Sequence, residues 1–287
     1  MAALPNPISG ATTSPGDNLT ILQALILGIV EGVTEFLPVS STGHLLLAQR
    51  ALGIERSEAA DAYAICIQAG AIVAVLALYR QRIVQILRGV AGQDVAGRKL
   101  LVHLVIAFVP AVVLGLLFEK KIDEVLFGLW PVVAAWAMGG VAILVLRGRG
   151  GSRGLTDIDP RTALLIGLAQ CLALWPGTSR SLATILGGLM LGLSMPAAVE
   201  FSFLLGLETL GAATAYKALK HGPEMLHAYG VAPILLGFVA AAVAAFVSVK
   251  WLVGWLQSHG MEVFAFWRLG LAVVVAALLA AGVLSAA

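Results

Sequence analysis

An all-α polytopic membrane protein, with six transmembrane helices and two re-entrant helical hairpins in an inverted repeat, is the fold this sequence predicts. Three observations carry the prediction. Of 287 residues, 60% are hydrophobic and only 12% charged, with a mean hydropathy of +0.96, a composition that requires a bilayer as solvent. Six apolar stretches are long enough to cross a hydrocarbon core of ~30 Å. Two further apolar stretches are each broken near the middle by proline and small hydroxyl residues, which neither a simple span nor a soluble core helix explains.

The elements follow in chain order. Residues 1–20 are rich in Gly, Pro, Ser and Thr and hold no Lys or Arg; lacking the basic region of a signal peptide, they read as a flexible leader. Residues 21–287 form one integral membrane domain. Its first element, 21–53, is interrupted at Leu37-Pro38-Val39-Ser40-Ser41-Thr42-Gly43. Proline cannot continue the helical ladder and the hydroxyl residues after it cap a new helix, so a hairpin of two half-helices is expected. Spans follow near 62–79, 100–118 and 125–146. A second broken stretch, 162–193, is interrupted at Trp175-Pro176-Gly177-Thr178-Ser179-Arg180-Ser181, and spans near 197–216, 231–249 and 263–285 complete the chain.

The two break prolines are 138 residues apart (176 − 38), and each break is followed by a span with polar insertions, Tyr63 to Gln68 in one and Glu200 to Glu208 in the other. The order hairpin, three spans, hairpin, three spans indicates a duplication, with repeats of about 21–146 and 162–285. An odd number of spans per repeat inverts the second copy, so the two hairpin tips approach from opposite sides near the midplane. Non-helical backbone at that depth requires protein or water around it, so a shared polar site is expected there. The 80–99 and 147–161 loops carry nine Lys and Arg against four, Lys120, Lys121, Lys217 and Lys220, on the opposing side. That asymmetry places the arginine-rich loops in the cytoplasm. Trp251 and Trp255 beside Lys250 read as an interfacial anchor. A net charge of +2 without a basic block excludes a nucleic-acid surface. Cys66 and Cys171 match no metal or disulfide spacing and read as packing residues. The sequence is compatible with a homodimer.

The first break concentrates the chemistry. Glu31 and Glu35 lie one helical turn apart, about 6 Å, on one face. Two carboxylates in an apolar helix need compensation, from a divalent metal, from Arg180 or from a proton held on one of them. Ser40, Ser41, Thr42 and His44 lie around the same break. Arg180, flanked by Thr178, Ser179 and Ser181, opens a half-helix at the second. Helix N-termini and a guanidinium facing one another suit a diphosphate.

The run Glu31-Gly-Val-Thr-Glu35-Phe-Leu-Pro-Val-Ser-Ser-Thr-Gly-His44, with Gln170-Cys-Leu-Ala-Leu-Trp-Pro-Gly-Thr-Ser-Arg-Ser181 and Glu200-Phe-Ser-Phe-Leu-Leu205, closely resembles the undecaprenyl-diphosphate phosphatase family, also known as bacitracin resistance proteins. The resemblance covers about residues 20–285. It implies hydrolysis of undecaprenyl diphosphate to the monophosphate at the outer face of the bacterial inner membrane, dependence on Mg or Ca, recycling of the peptidoglycan lipid carrier, and tolerance of bacitracin. The family's acidic motif falls on Glu31 and Glu35, its Ser/His region on Ser40, Ser41 and His44, and its Pro-Gly-x-Ser-Arg-Ser motif on 176–181. Two departures are visible: Leu182 stands where many relatives have Gly, and Glu208 where they often have Pro.

The residue set supports one mechanism with an open branch. Arg180 and the half-helix N-termini hold the diphosphate, with Ser40, Thr42, Gly177, Thr178, Ser179 and Ser181 as further contacts. Ser41 attacks, Glu35 or His44 takes its proton, and Glu31 holds the metal with Glu35 or orients the base. A metal-activated water attacking directly uses the same residues in other roles. A different class also fits broken helices in inverted repeats: a secondary transporter or flippase of a prenyl phosphate or small anion.

Overall fold

The computed structural model describes residues 19–285 apart from 56 and 127, so most of the expected leader lies outside the described residues. Its last position caps the first helix: Thr20 and Gln23 form a reciprocal capping box at the start of α1, Ile21–Thr34. The break follows, then α2, Ser41–Ala51. At 14 and 11 residues, these rise about 21 and 16 Å, too short for either to cross a bilayer alone. Next come α3, Glu58–Leu78, α4, Arg80–Val90, α5, Val95–Leu126, and α6, Leu129–Val145. After a loop with a short 3₁₀ turn the pattern recurs: α7, Pro160–Gln170, a break, α8, Arg180–Met190, then α9, Met195–Tyr229, α10, Val231–Trp255, and α11, Glu262–Ala280.

Among the described residues, α3, α5, α9, α10 and α11 are long and apolar enough to span, and α6 makes six when joined to the bent segment Lys120–Leu126 before it. The all-α polytopic expectation holds, with two corrections. The 80–99 loop contains the amphipathic helix α4, whose Arg82 pairs with Glu200 of α9 at 2.7 Å. The span expected at 197–216 continues to Tyr229 through Pro223, and Gly230, at φ +68°, ends it.

The broken elements occupy the interior. Helix α1 lies along α10, where Gly28 and Gly32 bring it against Gly237 and Ala241, the close approach that small residues permit between membrane helices. Helix α7 lies correspondingly along α5, α3 along α9, and α6 along α11. Thus the first broken element packs on the second half and the second broken element on the first half. Large apolar side chains face outward instead, as at Val102, Val105, Val109, Val113 and Leu116 of α5. In water such a stripe would be anomalous; in a bilayer it is the lipid face.

Candidate active site

Each break ends at a serine in the left-handed region, Ser40 at φ +76° and Ser179 at φ +76°, and each is followed by an 11-residue helix. The offset between them is 139 (179 − 40), one more than between the prolines. In that alignment Ser41 and Arg180 hold equivalent first positions of α2 and α8, and Glu31 is matched by Gln170. Serine rarely adopts this conformation and does so only where surroundings enforce it. Here the two breaks are tied together: Ser181 Oγ donates to the Leu37 carbonyl at 3.1 Å and Ser179 Oγ to the same oxygen at 3.5 Å. That carbonyl lies just before Pro38, where the first helix has lost its ladder. Trp136 of α6 donates to the Val39 carbonyl at 3.1 Å, and Trp175 to Pro131 at 3.0 Å.

Between the tips lies a cavity of about 180 Å³, lined by Glu35, Ser40, Ser41, Thr42, Gly177, Ser179 and Arg180, and on its other wall by Gln68, Gln170 and Thr209. Glu35 is its hub. One carboxylate oxygen accepts from Ser41 Oγ; the other accepts from Arg180 Nη2 at 3.1 Å. Arg180 Nη1 donates to the Ser202 carbonyl of α9 at 3.0 Å, and the guanidinium stands 5.2 Å over the Phe36 ring. Its Nε has no hydrogen-bond partner among the described residues. Gly206 makes room for this arginine, since a Cβ there would lie 2.6 Å from Cζ. Helix α2 starts without a side-chain cap, leaving its first N–H groups available to an anion.

Glu31 is completely buried one turn below Glu35, and neither of its carboxylate oxygens has a hydrogen-bond partner among the described residues. Glu35 and Arg180 are its charged neighbours. The unsatisfied hard oxygens of Glu31, beside the Glu35 carboxylate, fit Mg or Ca. No group of three or more His, Cys, Asp or Glu gathers among the described residues, so substrate oxygens and water would complete the coordination of a cation held by Glu31 and Glu35.

Four of the expected site residues do not line the cavity: Glu31, buried beneath Glu35, and Ser181, Thr178 and His44. Ser181 is fully buried and ties the second tip to the first. Thr178 closes a turn through its N–H to the Trp175 carbonyl at 3.1 Å. His44 turns toward α6 and α11: Nδ1 meets the Ser40 carbonyl at 2.7 Å and Nε2 accepts from Trp267 at 3.0 Å. These contacts define a neutral ring with its proton on Nδ1 and leave no nitrogen for Ser41. Of the polar insertions, Gln68 reaches the cavity. Glu200 instead pairs with Arg82 beside a separate cavity of about 240 Å³ lined also by Tyr79 and Gln257. Glu208 leaves Oε2 without a hydrogen-bond partner among the described residues.

Gln170 and Thr209 also stand in the cavity wall, where neither is expected from the motifs' catalytic residues. Gln170 Oε1 accepts from Thr209 at 3.1 Å, while its Nε2 is buried without a partner among the described residues. It opens the second motif, so its place nine residues before Ser179 was an available signal. Arg268, an arginine inside an apolar span, was another.

A helical, multi-pass membrane protein with a carboxylate–serine–arginine site where two broken helices meet is the class that this fold and geometry define. Residues 24–274 match the model of the family described as Bacitracin resistance protein BacA, and the chain belongs to that family. Among its relatives, "Undecaprenyl-diphosphatase 1" of Chromobacterium violaceum is 46% identical, covering 89% of this chain and 95% of the relative. "Undecaprenyl-diphosphatase 2" of Rhodospirillum rubrum is 44% identical over 94% of this chain and 98% of its own length. "Undecaprenyl-diphosphatase" of Nitrosomonas europaea is 43% identical over 90% and 94%.

Proposed function

We propose that the chain hydrolyses undecaprenyl diphosphate to undecaprenyl phosphate and inorganic phosphate, recycling the lipid carrier of peptidoglycan synthesis and conferring bacitracin tolerance. The names of its relatives support this reading. The observation that carries it is Glu35 holding Ser41 with one oxygen and Arg180 with the other at the floor of an intramembrane cavity. The halves 21–146 and 162–285 are inverted copies, placed in the bacterial cytoplasmic membrane with the cavity open to the outer face; the arginine-rich loops support that orientation.

In this scheme the terminal phosphate enters against Arg180 and the N-termini of α2 and α8, whose N–H groups and charge stabilise its oxygens as the transition state forms. Glu35 takes the Ser41 proton while Oγ attacks the terminal phosphorus. The anhydride P–O bond breaks and undecaprenyl phosphate leaves. Glu35 releases that proton to solvent, then takes one from a water that attacks the phosphoserine. Inorganic phosphate departs and the proton returns to Ser41. Glu31 and Glu35 would hold a Mg or Ca ion, which would supply charge neutralisation for the diphosphate oxygens.

The test is phosphate release from undecaprenyl diphosphate by detergent-purified protein, wild type against Ser41→Ala, with a search for phosphoserine. Loss of release in Ser41→Ala together with a trapped phosphoserine in the wild type is expected. Release retained by Ser41→Ala would transfer the attack to water. The reciprocal packing of the halves also fits a carrier; wild-type protein that moves prenyl phosphate between liposome leaflets but releases no phosphate in detergent would establish that reading instead.

A further inference from the structure

Arg268 of α11 lies outside the cavity and is completely buried. Its guanidinium donates to four backbone carbonyls: Trp136 through Nε at 3.3 Å, Ala135 and Gly177 through Nη2 at 2.9 and 3.0 Å, and Pro38 through Nη1 at 3.2 Å. Two of these belong to α6. The other two are the tips of the two breaks, one from each.

Those tip carbonyls are equivalent positions. Pro38 and Gly177 differ by 139 (177 − 38), the offset that relates Ser40 to Ser179, so each lies two residues before a left-handed serine. Each has lost its helical ladder and is buried, where a carbonyl without a donor is costly. One planar fork satisfies both, anchored on α6 by its other donors. Gly139 leaves the space: a Cβ there would lie 2.6 Å from Cζ and 2.7 Å from Nε of Arg268.

We propose that Arg268 is the positioning residue that holds the two tips at the separation catalysis requires. It touches neither Ser41 nor Arg180, yet those residues start the helices that follow the gripped carbonyls by three positions in each break. A rigid guanidinium fixes the angle as well as the distance between its acceptors, whereas a lysine radiates three donors from one nitrogen and cannot reproduce the fork. A displacement of about 1 Å between reacting groups costs on the order of 100-fold in rate.

The proposal rests on the phosphatase reading, and its test separates the two. Phosphate release from undecaprenyl diphosphate in detergent is measured for wild type, Arg268→Lys and Gly139→Ala, with helicity, monodispersity and thermal midpoint recorded for each. The glycine substitution keeps the charge and pushes the fork off its carbonyls. Expected is a kcat about 30- to 100-fold lower in both folded variants with KM within about threefold, because Arg180 and the helix N-termini still meet the diphosphate. Wild-type kcat in either folded variant would overturn the positioning role. So would a loss no larger than the loss of folded protein, or failure of both variants to fold, either of which makes Arg268 a purely structural residue. Absence of release from the wild type would refute the phosphatase reading instead.

Discussion

Replacing Glu35 by Gln removes a proton acceptor and a negative charge while keeping the shape of the side chain. The amide has the same shape, and its oxygen can still accept from either Ser41 or Arg180, but it cannot take the Ser41 proton. Loss of a positioned general base costs about 10²- to 10⁴-fold, so kcat should fall by that factor. KM should not rise. Arg180 Nη2 now spends a hydrogen bond on Glu35 at 3.1 Å, with side chains only 9% and 5% exposed; without the carboxylate, that donor and its charge turn wholly to the incoming phosphate. Stability should fall at the same time, because a buried cation that loses its partner costs about 3–5 kcal/mol, and the low exposure leaves little solvent to screen it. Adding Arg180→Met to Glu35→Gln should recover part of that stability while leaving the protein inactive. The assay is steady-state phosphate release with thermal denaturation of the same samples. A folded Glu35→Gln protein whose kcat stays within tenfold of wild type would refute the assignment of Glu35 as base.

The remaining predictions concern other parts of the same construction. His44→Ala should lower kcat about tenfold, well short of Glu35→Gln, since His44 supports the Ser40 carbonyl rather than Ser41; an equal or larger loss would make the histidine the base. Chelation should abolish release and Mg or Ca restore it, with Glu31→Gln raising the cation concentration needed; titration of the two proteins side by side decides, and identical curves would remove Glu31 from the cation site. Gly32→Ala would place a methyl group 2.8 Å from the Ala244 Cβ, so α1 must move away from α10. Overpacking of this kind costs about 1–3 kcal/mol; an unchanged thermal midpoint would show that the two helices slide apart freely.

The class, the two breaks and the residues that gather between them can be read from the sequence alone. Hydropathy over some twenty residues, a proline with hydroxyl residues behind it, and a glutamate pair at helical spacing are local signals, and each acts through neighbours in the chain. Hence the short helices on either side of Pro38 and Pro176 and the meeting of Glu35, Ser41 and Arg180 were legible beforehand. Helix α4 was obscured because basic residues that mark an orientation also mark one face of an amphipathic helix. What the tertiary structure alone decided involves partners far apart in sequence. The turn of His44 toward Trp267, the presentation of Gln170 by Thr209 and the grip of Arg268 on both tips all depend on which helix faces lie together. The reason is the same in each case: a buried hydrogen-bonding group takes whatever partner packing brings within about 3 Å, and packing is a property of the assembled bundle.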